Sequence, residues 1–205
     1  MTTRILLVRH GESEWNAVGR WQGQADPALS ELGIRQAVAA AEAVGAVDAI
    51  VSSDLSRAAE TARIISELTG VGPVLVEPGL RERNVGEWSG LTHDEIEARW
   101  PGAIGAWRRG ELASPPGGET NDDIRERVEA ALVGIATSFA GAEVLAVSHG
   151  GVMRLLERTH GIDDAPMFAN LGGVIVDVHG ERIDVGDRVL LLDPSTDSVT
   201  APPNL

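Results

Sequence analysis

Two histidines of this chain stand in the same local setting, and that setting is one in which an imidazole can do chemistry. Arg9-His10-Gly11 follows the apolar run Ile5-Leu6-Leu7-Val8, and Ser148-His149-Gly150-Gly151 follows Val144-Leu145-Ala146-Val147. Short β-branched and aliphatic runs of this kind read as strands buried on both faces, and the glycines end them. In open α/β sheets ligands bind in the crevice beyond the C-terminal ends of the strands, so a guanidinium and an imidazole delivered there together are placed to meet an anion. The helix after the second histidine starts near Val152, and Gly150 and Gly151 before it let a ligand approach backbone amides at its N-terminus. Arg57 adds a third basic group. It falls in the first turn of a helix, where the dipole disfavours a cation, so its position asks for an anionic partner outside the helix.

The elements that must position these groups are legible in order. Ser30 caps a helix with apolar positions at Ile34, Val38, Ala41 and Val44, stopped near Gly45. Ala49-Ile50-Val51 reads as a short buried strand. Helical spacing resumes at Leu55, Ala58, Ala62, Ile65 and Leu68 and ends at Thr69-Gly70. Val74-Leu75-Val76 is a further strand, broken by Pro78-Gly79. Thr92 and Glu95 form a capping box opening a short helix that must end near Trp100-Pro101. From Gly102 to Thr120 the glycines and Pro115-Pro116-Gly117-Gly118 predict an irregular excursion, so the segment from about 83 to 120 is expected to loop over the site. Thr120 and Asp123 open the longest helix, with Ile124, Val128, Leu132 and Ile135 on one face. Val174–Val178 and Val189–Leu192 read as two strands joined through a turn at His179-Gly180 or Gly186-Asp187. The tail from about 193 is polar and proline-containing, which predicts loose order. Alternating strands and helices predict an α/β fold: three layers, a mostly parallel central sheet and helices on both faces.

Composition sets the frame. The 205 residues, 43% of them hydrophobic, suffice for one sizeable core and predict a single domain spanning 1–205. A net charge of −14 disfavours nucleic acid or an anionic membrane as partner. The sequence has no lysine, so every fixed side-chain cation is an arginine, the residue best shaped to grip a phosphate with two N–H groups. It has no cysteine, and no pair of histidines has metal-ligand spacing, so neither metal nor other cofactor is expected. The N-terminal apolar run of four residues is far short of a signal or membrane segment, and a cytoplasmic protein is the default expectation. The sequence does not fix the oligomeric state, a homodimer included.

Taken in order, Arg9-His10-Gly11, Asn16, Gln22-Gly23, Leu29-Ser30-Glu31-Leu32-Gly33, Ser52-Ser53-Asp54-Leu55-Ser56-Arg57-Ala58, Leu80-Arg81-Glu82, Gly86-Glu87-Trp88, Gly117-Gly118-Glu119 and Ser148-His149-Gly150-Gly151 resemble the blocks of the histidine phosphatase, or phosphoglycerate-mutase-like, superfamily. The resemblance covers about three quarters of the chain. It implies the phosphoglycerate mutase-like fold and assigns roles by motif. His10 is the nucleophile that becomes phosphorylated, and Arg9, Arg57 and His149 surround the equatorial oxygens of the phosphoryl group. Glu82 protonates the leaving alkoxide and later takes a proton from water. Asn16, Ser13, Gln22, Gly23 and Gly150 match positions that contact phosphate or substrate. His93 stands where mutase members carry a substrate-binding lysine. Independently of the family, a histidine nucleophile must present a bare nitrogen to phosphorus, so its other nitrogen should donate to a backbone carbonyl. His160, at a helix end, and His179, in a turn, read as structural or solvated.

The resemblance implies a metal-independent phosphomonoester phosphatase acting on a small phosphorylated metabolite of sugar phosphate or phosphoglycerate type. A cofactor-dependent phosphoglycerate mutase is the alternative, and a phospho-ligand binding domain without turnover is a second. Two departures weigh against the mutase: Val85 occupies the place of a tyrosine shortly after the acid, and His93 the place of the lysine. Within the phosphatases, Gly90-Leu91-Thr92-His93, Pro101-Gly102-Ala103 and Trp107-Arg108 resemble actinobacterial members acting on glucosyl-3-phosphoglycerate.

Overall fold

The computed structural model describes residues 1–195 and 198–200. Its six strands are β1 (Thr3–Arg9), β2 (Ala49–Ser52), β3 (Leu75–Val76), β4 (Glu143–Ser148), β5 (Gly172–His179) and β6 (Arg182–Leu190), and they form one sheet in the order β3-β2-β4-β1-β5-β6. The pairs β1–β4, β4–β2 and β2–β3 are parallel, whereas β5 joins β1 and β6 joins β5 antiparallel. The sheet is therefore mostly parallel with an antiparallel edge, as the sequence predicts.

Strand alternation distributes the apolar side chains to both faces. Ile5 and Leu7 of β1 and Val144 and Ala146 of β4 point to one side, where they pack with Ile124 and Leu132 of α6 (Asn121–Ser138) and Met153 and Leu156 of α7 (Gly150–Thr159). Val8, Leu145 and Val147 point to the other, against Ala40 of α2 (Glu31–Ala43) and Ala58, Ala62 and Ile65 of α3 (Ser56–Thr69). Three layers follow from that division. Among the described residues no helix is long and apolar enough to cross a membrane.

The short helices differ in part from expectation. Besides α1 (Glu14–Ala17) and α4 (His93–Arg99), the structure has α5 over Ala103–Arg108 inside the stretch read as irregular. The glycines at 102, 105 and 110 hide it from a propensity reading. Tertiary packing supplies what propensity lacks: Ile104 is fully buried with Trp21, Val85, Trp88 and Ile96 in a small core of its own, with Trp107 packed against it. The second C-terminal strand also begins earlier than its apolar run, at Arg182, because β6 is a sheet edge whose first residues face water and carry charge. Of the tail, positions 196, 197 and 201–205 lie outside the described residues. Ser198 and Thr200 are tied down: Gln36 Nε2 donates to Ser198 O at 2.8 Å and to Thr200 Oγ1 at 2.9 Å, and Asn170 N donates to Thr200 O.

Candidate active site

Register brings the two histidines together. Arg9 pairs with Ser148 across the parallel ladder of β1 and β4, so His10 and His149 leave the sheet side by side, with His10 N donating to Ser148 O. Their ring centroids are 5.2 Å apart at 60°. His10 Nδ1 lies 2.6 Å from the carbonyl oxygen of Gly11, which can only accept. Nδ1 therefore carries the proton, and Nε2 keeps its lone pair, accepting from Arg57 Nε at 3.2 Å. Burial, then the charges of Arg57 and Arg9, hold the His10 pKa well below the ordinary histidine value.

Both arginines are held by carbonyls. Arg9, buried, donates from Nη1 to Phe168 O, while Asn170 Nδ2 donates to His10 O and Leu171 N to Arg9 O. The segment between α7 and β5 thus fixes the backbone and side chain of the Arg-His pair. Arg57 is 1% exposed and donates to Ala25 O and Gly23 O as well as to His10. The N-cap of α3, Leu55, offers no side-chain acceptor that satisfies the helix's first amide. Asp26 does so from across the loop, accepting from Ser56 N and Ser56 Oγ, both at 2.6 Å. Burial lowers the pKa of Arg9 and of Arg57 to about 10, partly offset by Glu82, so both stay charged at neutral pH.

His149 is fully buried. Its Nε2 lies 2.9 Å from Ser53 Oγ, and its Nδ1 has no hydrogen-bond partner among the described residues. Burial and then Arg57 lower its pKa well below the ordinary value. Glu82 reaches the same place from the loop after β3. Its Oε1 accepts from Arg83 N at 2.7 Å and its Oε2 from Gly151 N, at the N-terminus of α7, at 3.0 Å. The second glycine after His149 has a spatial reason. A Cβ on Gly151 would sit 2.5 Å from Glu82 Oε1.

Ser13 is fully buried and does not line the cavity, but it orients two residues that do. As N-cap of α1 it accepts from Asn16 N, its own N donates to Asn16 Oδ1, and its hydroxyl donates to Gln22 Oε1 at 2.9 Å. With their oxygens so engaged, Asn16 and Gln22 keep their NH2 groups for the cavity. Gly23 has φ of +54°, and a Cβ there would lie 2.6 Å from Val85 Cγ2, so both conformation and crowding demand glycine.

These parts meet in a cavity of about 190 Å³ lined by Arg9, His10, Arg57, Glu82, Asn16, Gln22, Gly23 and Gly150. His93 is not part of it: its half-exposed side chain lies beside Asp94, and Trp21 and Trp107 build the cavity wall instead. His160 and His179 are likewise elsewhere, near Leu156 and Thr2. Sequence reading missed the outer wall, formed by Arg20, Arg83, Arg154, Leu155, Arg158 and Met167. The α7 residues fall at 154, 155 and 158, one helical face following His149, a spacing that marks them in retrospect. Arg154 is buried and donates to Glu157 Oε2, Ile162 O and Asp163 O, and Glu157 also binds Arg188.

His149 does not itself line the cavity but packs against His10 beneath the lining. A sheet-end crevice so built, with an imidazole, guanidinium groups and a carboxyl group on its wall, is the arrangement of a phosphoryl-transfer site. The family model described as Histidine phosphatase superfamily (branch 1) matches residues 5–183, and the chain belongs to that family. It is 44% identical over 163 residues to the glucosyl-3-phosphoglycerate phosphatase of Mycobacterium tuberculosis, covering 75% of this chain and 73% of the relative. It is 43% identical over 159 residues to a metal-independent phosphoserine phosphatase of Arabidopsis thaliana, covering 75% and 67%. Among solved structures, mycobacterial glucosyl-3-phosphoglycerate phosphatase in complex with VO3 superposes with a TM-score of 0.80 at 36% identity, covering 89% of this chain and 96% of the other.

Proposed function

We propose that the chain is a metal-independent phosphomonoester hydrolase that works through a phosphohistidine on His10, with a small phosphorylated metabolite as substrate. The observation that carries the reading is the bare Nε2 of His10, fixed by the Nδ1–H to Gly11 O bond and set in the cavity that also contains Glu82. Nε2 attacks phosphorus, the N–P bond forms as the ester P–O bond breaks, and Glu82 gives its proton to the departing alkoxide. Water then attacks the phosphoryl group, Glu82 takes its proton, and phosphate leaves His10 free. The phosphoryl oxygens gather charge in this exchange. Arg9, Arg57 and the amides of Asn16 and Gln22 line the cavity around them, with His149 packed against His10 beneath, a preorganised clamp of the kind worth several kcal/mol.

The relatives named for glucosyl-3-phosphoglycerate and phosphoserine support a small phosphorylated metabolite as substrate, and this chain's specificity lies in the outer wall of the cavity. Phosphate release from p-nitrophenyl phosphate in the presence of chelator tests the reading. Release by the wild type and its loss in His10→Ala supports it, whereas bisphosphoglycerate-primed interconversion without net hydrolysis would replace it with a mutase.

A further inference from the structure

The phosphoryl clamp uses Arg9 and Arg57, yet five more arginines line the same cavity: Arg20, Arg83, Arg108, Arg154 and Arg158. Seven of the chain's 17 arginines thus face one cavity whose only lining carboxylate among the described residues is Glu82, in a protein of net charge −14. An average acidic surface does not produce that concentration of one sign.

Most of these cations are committed to the protein. Arg20 binds Gly90 O and Glu95, Arg83 binds Glu119 O and Asn121 while stacking on Trp107, and Arg154 binds Glu157 and two carbonyls. Arg158 differs. It sits one turn beyond Arg154 on α7, is exposed, lines the cavity, and its guanidinium has no hydrogen bond or ion pair among the described residues. Its charge is felt by both Arg154 and Arg83, where it adds to burial in lowering their pKa. Arg158 thus lies within electrostatic reach of both guanidinium groups and is repelled by each, and an anion beside it would relieve that repulsion.

We infer that Arg158, backed by Arg154 and Arg83, forms a second anion subsite on the α7 side of the cavity, selecting phosphomonoesters whose alcohol part carries another anionic group. The inference rests on the phosphatase reading and deepens it. The committed arginines set the local field, and the uncommitted Arg158 makes the direct contact. Its exposure makes that contact sensitive to salt.

Matched esters test this. The wild type and Arg158→Gln are compared on 3-phosphoglycerate against glycerol 3-phosphate, and on fructose 1,6-bisphosphate against fructose 6-phosphate. Turnover and competition against p-nitrophenyl phosphate are both read, so an ester that binds without reacting still reports. The wild type should prefer the more anionic member of at least one pair by about tenfold in kcat/KM or inhibition constant. That preference should collapse in Arg158→Gln, mainly through KM, shrink with added NaCl, and return in part in Arg158→Lys. Arg99→Gln, which removes an arginine outside the cavity lining, should keep the wild-type ratio. Which pair responds identifies the second anion as carboxylate or phosphate. No preference in the wild type, or an equal loss on both members of each pair in Arg158→Gln, overturns the subsite. Failure to release phosphate from p-nitrophenyl phosphate would instead overturn the phosphatase reading itself.

Discussion

At the scale of single residues, each assigned group has a neighbour that fixes what it can do. Gly11 O fixes the tautomer of His10, and the Arg83 and Gly151 amides hold the two oxygens of Glu82. If Glu82 is the proton donor, Glu82→Gln should slow alkyl phosphates about 10²-fold and p-nitrophenyl phosphate far less, because the aryl leaving group needs no proton. Equal slowing on both would remove Glu82 from the role. Ser13 makes a subtler case, since it touches the cavity only through Asn16 and Gln22. Ser13→Ala frees the Gln22 amide to rotate and removes the cap on Asn16 N, while the backbone bond from Ser13 N to Asn16 Oδ1 survives. It should lower kcat/KM about tenfold on all esters alike, the effect of one or two lost hydrogen bonds. A change within twofold would mean that the Gln22 amide is oriented by something else. At this scale the sequence was informative where a residue acts next to a glycine at a strand end, as His10 and His149 do, or where a cation stands against the dipole in a helix's first turn, as Arg57 does. It did not separate Ser13, a positioning residue, from Asn16 beside it, because hydroxyl and amide look alike as ligand contacts until their partners are seen.

Elements carry these groups into register, and one of them depends on a distant cap. The N-terminus of α3 holds Arg57 but is capped by Asp26 from the preceding loop. Asp26→Ala should therefore cost about 1 kcal/mol, a drop of roughly 2–4 °C in Tm for a chain of this size. It should also loosen Arg57, so thermal melting and kcat/KM should fall together. A fall in neither would show that α3 is anchored through its packing alone. The inner strands and α6 were readable because burial on both faces of a sheet, and on one face of a helix, writes a strong period into the sequence. Helix α2 was legible from its Ser30 cap and not from its face: Ile34 and Val38, expected inside, are exposed, and the small Gly33, Ala37 and Ala40 pack inward instead. The α5 helix was not, since its three nearby glycines deny the local signal and only Ile104 and Trp107, packed on Trp21 and Trp88, hold it in place. The arginines of α7 escaped notice for a related reason. A basic residue on a helix face reads as solvated surface until the cavity opposite it is known.

For the molecule as a whole, two imidazoles buried in a positive field tie folding to pH. Both have folded pKa values well below the ordinary 6.5, through burial first and then the arginines. As pH falls below about 6.5 the unfolded chain takes up protons that the folded chain refuses, so the stability these groups contribute is full above that pH and is lost toward their folded values. Each contributes a slope of up to about 1.4 kcal/mol per pH unit in that window. Urea unfolding between pH 7.5 and 5.5 should show it, and His149→Gln should flatten it. An unchanged slope would mean that His149 is charged or solvated in the folded state. The same shift keeps His10 bare in mild acid, so turnover should persist below the pH at which an ordinary histidine protonates.

The central claim is that phosphorus passes through Nε2 of His10. Rapid acid-free quenching of the enzyme during turnover, followed by peptide mass spectrometry and 31P NMR, reads it directly. The account predicts an acid-labile phosphoramidate on the peptide carrying His10, on Nε2, that forms before phosphate is released and is absent in His10→Ala. Steady hydrolysis by His10→Ala, or a phosphate bound to any other residue, would contradict it.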